Sequence, residues 1–177
     1  MNNFPSGTVT FLFTDIEGST RLWQEQPDAM AIAHARHDEI LREAIKANNG
    51  YVFQIVGDSF SAAFHNAIDG LRTVLLAQRG LQPQTSEVSE TSEVLKLHVR
   101  MGLHTGTVEI LPDGKYEGYA TLASTQRVMS AAHGGQTLIT QTTYELLQNA
   151  LPSDVTLHNM GEHRLKDLRV PLRLYQV

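Results

Sequence analysis

The sequence predicts an α/β (α+β) sandwich of ferredoxin-like order, a mostly antiparallel sheet with helices packed on it, and three observations predict it. Short β-rich apolar runs and stretches at helical spacing follow one another as β-α-β-β-α-β, with further elements behind. A Gly-Asp dipeptide joins two of the short runs as a hairpin tip. At 177 residues, 41% hydrophobic and 19% charged, the chain has the size and composition of one ordinary globular domain, 1–177, whose core needs no staples. The simplest layering of that order puts the sheet on one side and the helices on the other.

Each element has its own signal. Thr8 to Thr14 (TVTFLFT) is nearly continuous, apolar and β-branched, as a buried strand is. Pro27-Asp28 opens a helix, where the missing proline N–H costs nothing, and Met30, Ala33, His37, Ile40, Leu41, Ala44 and Ile45 keep its spacing up to Asn49-Gly50. Tyr51 to Val56 and Phe60 to Phe64 are strands around Gly57-Asp58. Ala67 to Leu81 is a second helix, with Leu71, Val74, Leu75 and Gln78 on one side. Residues 82–94 contain QPQTSEVSETSE, with TSEV occurring twice. They are too poor in large apolar groups to pack and read as a flexible surface loop within the domain.

Leu95 to His104 and Thr107 to Leu111 read as two strands, followed by the turn Pro112-Asp113-Gly114. A helix reaches about Ala132, and a strand follows at Thr137 to Thr140 with a short helix at Gln141 to Leu147. Val155 to Met160 and Leu172 to Val177 add two last strands.

Bulk properties narrow the function. There is no cysteine, hence no disulfide framework and no thiolate metal site, which suits a reducing cytoplasm. No apolar run approaches the roughly 20 residues that span a bilayer, and the N-terminus lacks the features of a signal peptide. A net charge of −5 without a basic stripe argues against nucleic acid as a partner, while leaving room for a small anion held by amides, metals and a few cations.

The sharpest local signal is FTDIEGST, residues 13–20. A buried strand delivers Asp15 at its end, and the turn Glu17-Gly18-Ser19-Thr20 then opens a helix. Such a turn aims backbone N–H groups at one point, and a carboxylate beside it makes sense if a divalent cation lies between carboxylate and phosphate. Taken alone, the octet reads first as a helix cap. Asp58 taken alone is a turn residue. Two strand-end aspartates in one sheet are different, because neighbouring strands can bring both to the same ions.

FTDIEGST, then GD at a hairpin tip, GLHTG, RVMSAAHGGQ and GEHRLKDL occur in this order. Together they resemble class III adenylate/guanylate cyclase homology domains, over nearly the whole chain from about Gly7 to Val177. The resemblance implies a class III nucleotidyl cyclase-like fold, a head-to-tail homodimer with active sites at its interface, and no membrane insertion of this domain. It implies conversion of a purine nucleoside triphosphate to a 3′,5′-cyclic monophosphate and pyrophosphate, with two Mg²⁺ or Mn²⁺ ions per site. Asp15, Asp58 and the carbonyl of Ile16 match the metal ligands, and Glu17, Gly18, Ser19 and Thr20 the turn that holds phosphates. Arg127 matches an arginine that stabilises charge at the reacting phosphate, and Lys166 a lysine that contacts the triphosphate.

The chain also departs from the family. Where adenylate cyclases carry a base-reading lysine it has Gln54. Where they carry that lysine's aspartate or threonine partner it has Lys115, or Tyr116 if the alignment shifts by one. Gln54 can donate and accept, whereas Lys115 only donates, so neither purine is encoded cleanly. The transition-state asparagine is replaced by Ala123, and losing one such donor commonly costs about 10²–10³ in rate. These departures keep a second reading open, a regulatory module that binds nucleotide or only dimerises. His104 and His133 read as packing or turn residues and Trp23 as a core anchor. The eight histidines show no paired metal spacing such as HExxH.

Overall fold

The computed structural model describes residues 4–82 and 95–177; apart from Gln82, the loop expected at 82–94 lies outside the described residues. The chain runs β1 (Gly7–Ile16), α1 (Ser19–Glu25), α2 (Pro27–Ala47), β2 (Tyr51–Val56), β3 (Ser59–Phe64), α3 (Ala67–Gly80) and β4 (Val99–Ile110). It continues as β5 (Tyr116–Glu117), α4 (Tyr119–Ala131), β6 (Thr137–Thr140), α5 (Gln141–Leu147), β7 (His158–His163) and β8 (Leu172–Gln176). One sheet is ordered β2-β3-β1-β4-β6-β8-β7, with β5 paired to the end of β4. Its β2-β3-β1-β4 part is antiparallel throughout, as the ferredoxin-like order requires, and only β4 and β6 run parallel.

Strand alternation sorts the core into two layers. Leu12, Ile16, Phe60, Phe64, Met101 and Leu103 face α2 and α3, joined there by Met30, Leu41, Ile45, Leu71 and Val74. Val9, Phe11, Phe13, Ala63 and Val108 face the other way, onto Met129 of α4. Helices therefore cover both sides of the sheet, which corrects the one-sided layering. The near-continuous apolar run in β1 is the sequence sign of a strand buried on both faces.

Gly102 and Gly106 explain why β4 is one strand rather than the two expected. A Cβ on Gly102 would lie 2.4 Å from the Met129 nitrogen, and one on Gly106 would lie 2.6 Å from Thr121 Oγ1. Both glycines face α4 and let it lie against the strand, so Gly106 marks a close approach and not a break. β7 begins three residues later than expected. It is an almost wholly exposed strand, without alternation to read, and its register is set by pairing His158 with Gln176 and by an irregularity at Asn159/Gly161. Trp23, expected as a core anchor, is 41% exposed on α1. Among the described residues no helix is long and apolar enough to cross a membrane.

Candidate functional site

β3 pairs with β1 in the register Phe13↔Ser61, and this brings the β2–β3 hairpin tip beside the end of β1. Asp58 Oδ2 accepts the backbone N–H of Ile16 at 2.9 Å, and Ser19 Oγ stands 3.4 Å from Asp58 Oδ1. Ser59 Oγ donates to Asp15 Oδ1 at 2.8 Å. The two aspartates, 43 positions apart in sequence, are thus tied to each other's strand ends by Ile16 and Ser59. Both are half-buried.

Arg100 completes this end of the sheet. It stands opposite Asp15 in the β1–β4 register and donates to Asp15 Oδ2, through Nε at 2.9 Å and through Nη2. Sequence reasoning missed it, although VRMG places a lone cation inside an apolar strand, where a charge needs a partner.

A glycine turn follows β1. Gly18 has φ 71°, in the left-handed region that favours glycine, and α1 starts at Ser19. The Glu17 N–H donates to the His98 carbonyl at 2.9 Å. The Glu17 carboxylate lies against Gly134, where a Cβ would come 2.7 Å from Oε2. The first and fourth motifs therefore meet in space, and Gly134 makes room for the acidic side chain.

The fit of this site to divalent ions rests on its donors. Asp15 and Asp58 offer hard carboxylate oxygens that keep acceptor capacity beyond the bonds named, and the Ile16 carbonyl is beside them in the chain. Such oxygens suit Mg²⁺ or Mn²⁺.

The other candidates lie in separate groups. Arg127, on α4, is ion-paired with Asp167, and Lys166 is the exposed neighbour of that aspartate in the turn between β7 and β8. Among the described residues no hydrogen bond or ion pair joins Arg127 or Lys166 to Asp15 or Asp58. Gln54 is exposed on β2 at the register of Ser61. Lys115 is 79% exposed and ion-paired with Asp113 at 2.8 Å in the turn before β5.

Tyr116 packs edge-on to Phe11 and Phe53, and its hydroxyl is buried without a partner. Burial pushes that phenol up to about 12. Ala123 is half-buried on α4 and brings no polar group, while the Thr125 hydroxyl is turned back onto the Thr121 carbonyl. His104 is a packing residue: its Nδ1 meets Thr140 Oγ1 at 2.9 Å, and burial lowers its pKa to about 4. His133 sits in a turn, its N–H donating to Gln136 Oε1.

A model of the adenylate and guanylate cyclase catalytic domain matches residues 1–177. An uncharacterized protein of Mycobacterium tuberculosis is 39% identical over 169 residues, which are 94% of this chain and 54% of that protein. The chain thus spans about half the length of such curated relatives. A receptor-type adenylate cyclase of Trypanosoma congolense is 30% identical over 204 aligned positions, covering 96% of this chain and 27% of that one. A solved structure of an adenylate cyclase from Trypanosoma brucei, in its monomeric state, is similar with a TM-score of 0.81 and 27% identity. It covers 99% of this chain and 91% of its own.

Proposed function

Because this chain belongs to the adenylate and guanylate cyclase catalytic domain family, we propose that it is a single cyclase homology domain that turns a purine nucleoside triphosphate into the 3′,5′-cyclic monophosphate and pyrophosphate. ATP is placed ahead of GTP, since adenylate cyclases recur among the similar proteins. The observation that carries the reading is the pairing of Asp15 with Asp58 at adjacent strand ends, held by Ser59 and Ile16.

In this reading Asp15, Asp58 and the Ile16 carbonyl hold divalent ions. Those ions, when bound, favour the ribose 3′-hydroxyl as nucleophile and neutralise the triphosphate. Of the turn Glu17 to Thr20, the amides from Gly18 onward are offered to the β- and γ-phosphates, since the Glu17 N–H is taken by His98. Arg100 lies against Asp15 and adds positive charge beside it. Arg127 and Lys166 form an edge that a head-to-tail partner would present to this site, because among the described residues no hydrogen bond or ion pair joins them to it. Arg127 suits charge building up at the α-phosphate, being permanently protonated and planar. No side chain here is placed as a general base, so water or a substrate phosphate takes the hydroxyl proton. Gln54 faces the base with either of its amide groups, and Lys115 is the weaker contributor. A cytoplasmic location completes the proposal.

Two observations favour a second reading, a weak or inactive domain that binds nucleotide or dimerises to regulate a partner. Ala123 supplies no donor, and Lys115 is engaged by Asp113 on an exposed turn. Incubation with each of the four ribonucleoside triphosphates and Mn²⁺, with products identified by mass spectrometry, separates the two. A cyclic purine product supports the enzyme, and metal-dependent binding without product supports the module.

A further inference from the structure

On α2, His34, His37 and Asp38 stand at i, i+3 and i+4, and one ligand atom from each lies within 4.8 Å of the other two. We propose that these three residues form a binding site for a borderline divalent transition metal such as Zn²⁺ or Co²⁺, separate from the Asp15–Asp58 pair.

The spacing is the first argument. Residues three and four apart share one helix face. His37 Nδ1 is 3.3 Å from Asp38 Oδ1, and His34 Nε2 is 3.9 Å from the same oxygen. Two ligands of a tetrahedral zinc ion, each about 2.0–2.1 Å from it, stand roughly 3.3 Å apart. The His37–Asp38 pair already meets that separation, and the partly exposed His34 ring must move closer to both, from 3.9 Å to Asp38 Oδ1 and from within 4.8 Å to His37. Two imidazoles and one carboxylate are the donors of a three-ligand zinc site whose fourth position takes water, and imidazole nitrogen selects against Mg²⁺.

The second argument is the His37 ring. It is buried to 0% exposure, and its Nε2 has no partner. Nδ1 and Oδ1 are two acceptor atoms that need a shared proton or a shared cation between them. The shared proton leaves the Nε2 lone pair bare in the core. The shared cation takes Nδ1 and moves the ring hydrogen to Nε2, in a ring packed at a steep angle to Phe60 with centroids 5.8 Å apart. Asp38 is arranged for the task, with Oδ1 towards the histidines and Oδ2 facing Arg42 at 4.0 Å.

The site has a built-in reporter. Trp23, the single tryptophan, lies on α1 with its ring 5.8 Å from His34. Chelator-treated protein titrated with Co²⁺ should lose Trp23 fluorescence with one equivalent bound, and Zn²⁺ but not a large excess of Mg²⁺ should reverse the loss. His34→Ala and Asp38→Asn should each weaken binding by about tenfold or more, by fluorescence and by calorimetry. Asp58→Asn removes a carboxylate whose charge reaches His37, so it should lower the affinity only slightly, whereas loss of binding would place the ion at the aspartate pair and overturn the proposal. Absence of quenching in folded protein, an unaltered affinity in both His34→Ala and Asp38→Asn, or displacement by Mg²⁺ would each overturn the proposal.

Discussion

Arg100 faces Asp15 directly across the β1–β4 ladder, its Nε 2.9 Å from Oδ2, so the carboxylate proposed to hold a metal already carries a protein cation on one side. The pair is part-exposed, and such pairs contribute about 1 kcal/mol or less to stability. Arg100→Ala should therefore lower the urea midpoint only slightly. It should weaken Mn²⁺-dependent binding of a non-hydrolysable triphosphate about tenfold or more, read by calorimetry. A large stability loss with unchanged triphosphate affinity would make Arg100 a structural residue only.

Asp58→Asn should abolish metal-dependent triphosphate binding and any cyclase activity while leaving the fold intact. The amide oxygen can still accept the Ile16 N–H, so the hairpin tip keeps its anchor. Circular dichroism checks the fold and calorimetry the binding. Undiminished Mn²⁺-dependent binding would remove the aspartate pair from the site.

Assembly can be read by complementation. Since no hydrogen bond or ion pair joins Arg127 to Asp15 in its own chain, Asp15→Ala and Arg127→Ala chains, each inactive alone, should regain activity when mixed, one intact site per heterodimer. A protein that stays monomeric at high concentration would rule this arrangement out.

The base pocket should discriminate poorly. Lys115 is held by Asp113 in solvent and Gln54 can turn its amide, so ATP and GTP analogues should bind within about tenfold, a gap of about 1.4 kcal/mol. Gln54→Lys, alone or with Lys115→Asp, should shift preference towards ATP. A wild-type preference above about a hundredfold would point to a base-reading group elsewhere.

Acid should destabilise the domain in a defined window. Folded His104 titrates near 4, whereas an unfolded histidine titrates near 6.5. Between those values the unfolded chain binds the extra proton, so this contribution is present in full above about 6.5 and falls as pH drops towards 4. His37, also depressed by burial, adds in the same direction. His104→Gln, which can keep a bond to Thr140, should flatten the fall of the urea midpoint between pH 7 and 4.5.

Much of this was legible in the residues. Alternation and helical spacing are local signals, and they placed β2, β3, α2, α3 and β6 close to where they stand. Features that depend on what packs against the chain were misread, the one-sided layering among them. Gly106 reads as a break until Thr121 is seen above it. Trp23 reads as core until α1 is found to leave it 41% exposed.

By itself, the sequence determined the ferredoxin-like order, the strand-end positions of Asp15 and Asp58, and the family, because these rest on periodicity and ordered motifs. Only the tertiary structure decided what each charge meets. Sheet register set Arg100 on Asp15, chain folding set Arg127 on Asp167, and the burial of α2 gave His37 a ring nitrogen without a partner. The physical reason is range. A hydrogen bond or an ion pair acts over a few ångströms, and it is the fold that decides which residues, 40 or 85 positions apart, come within them.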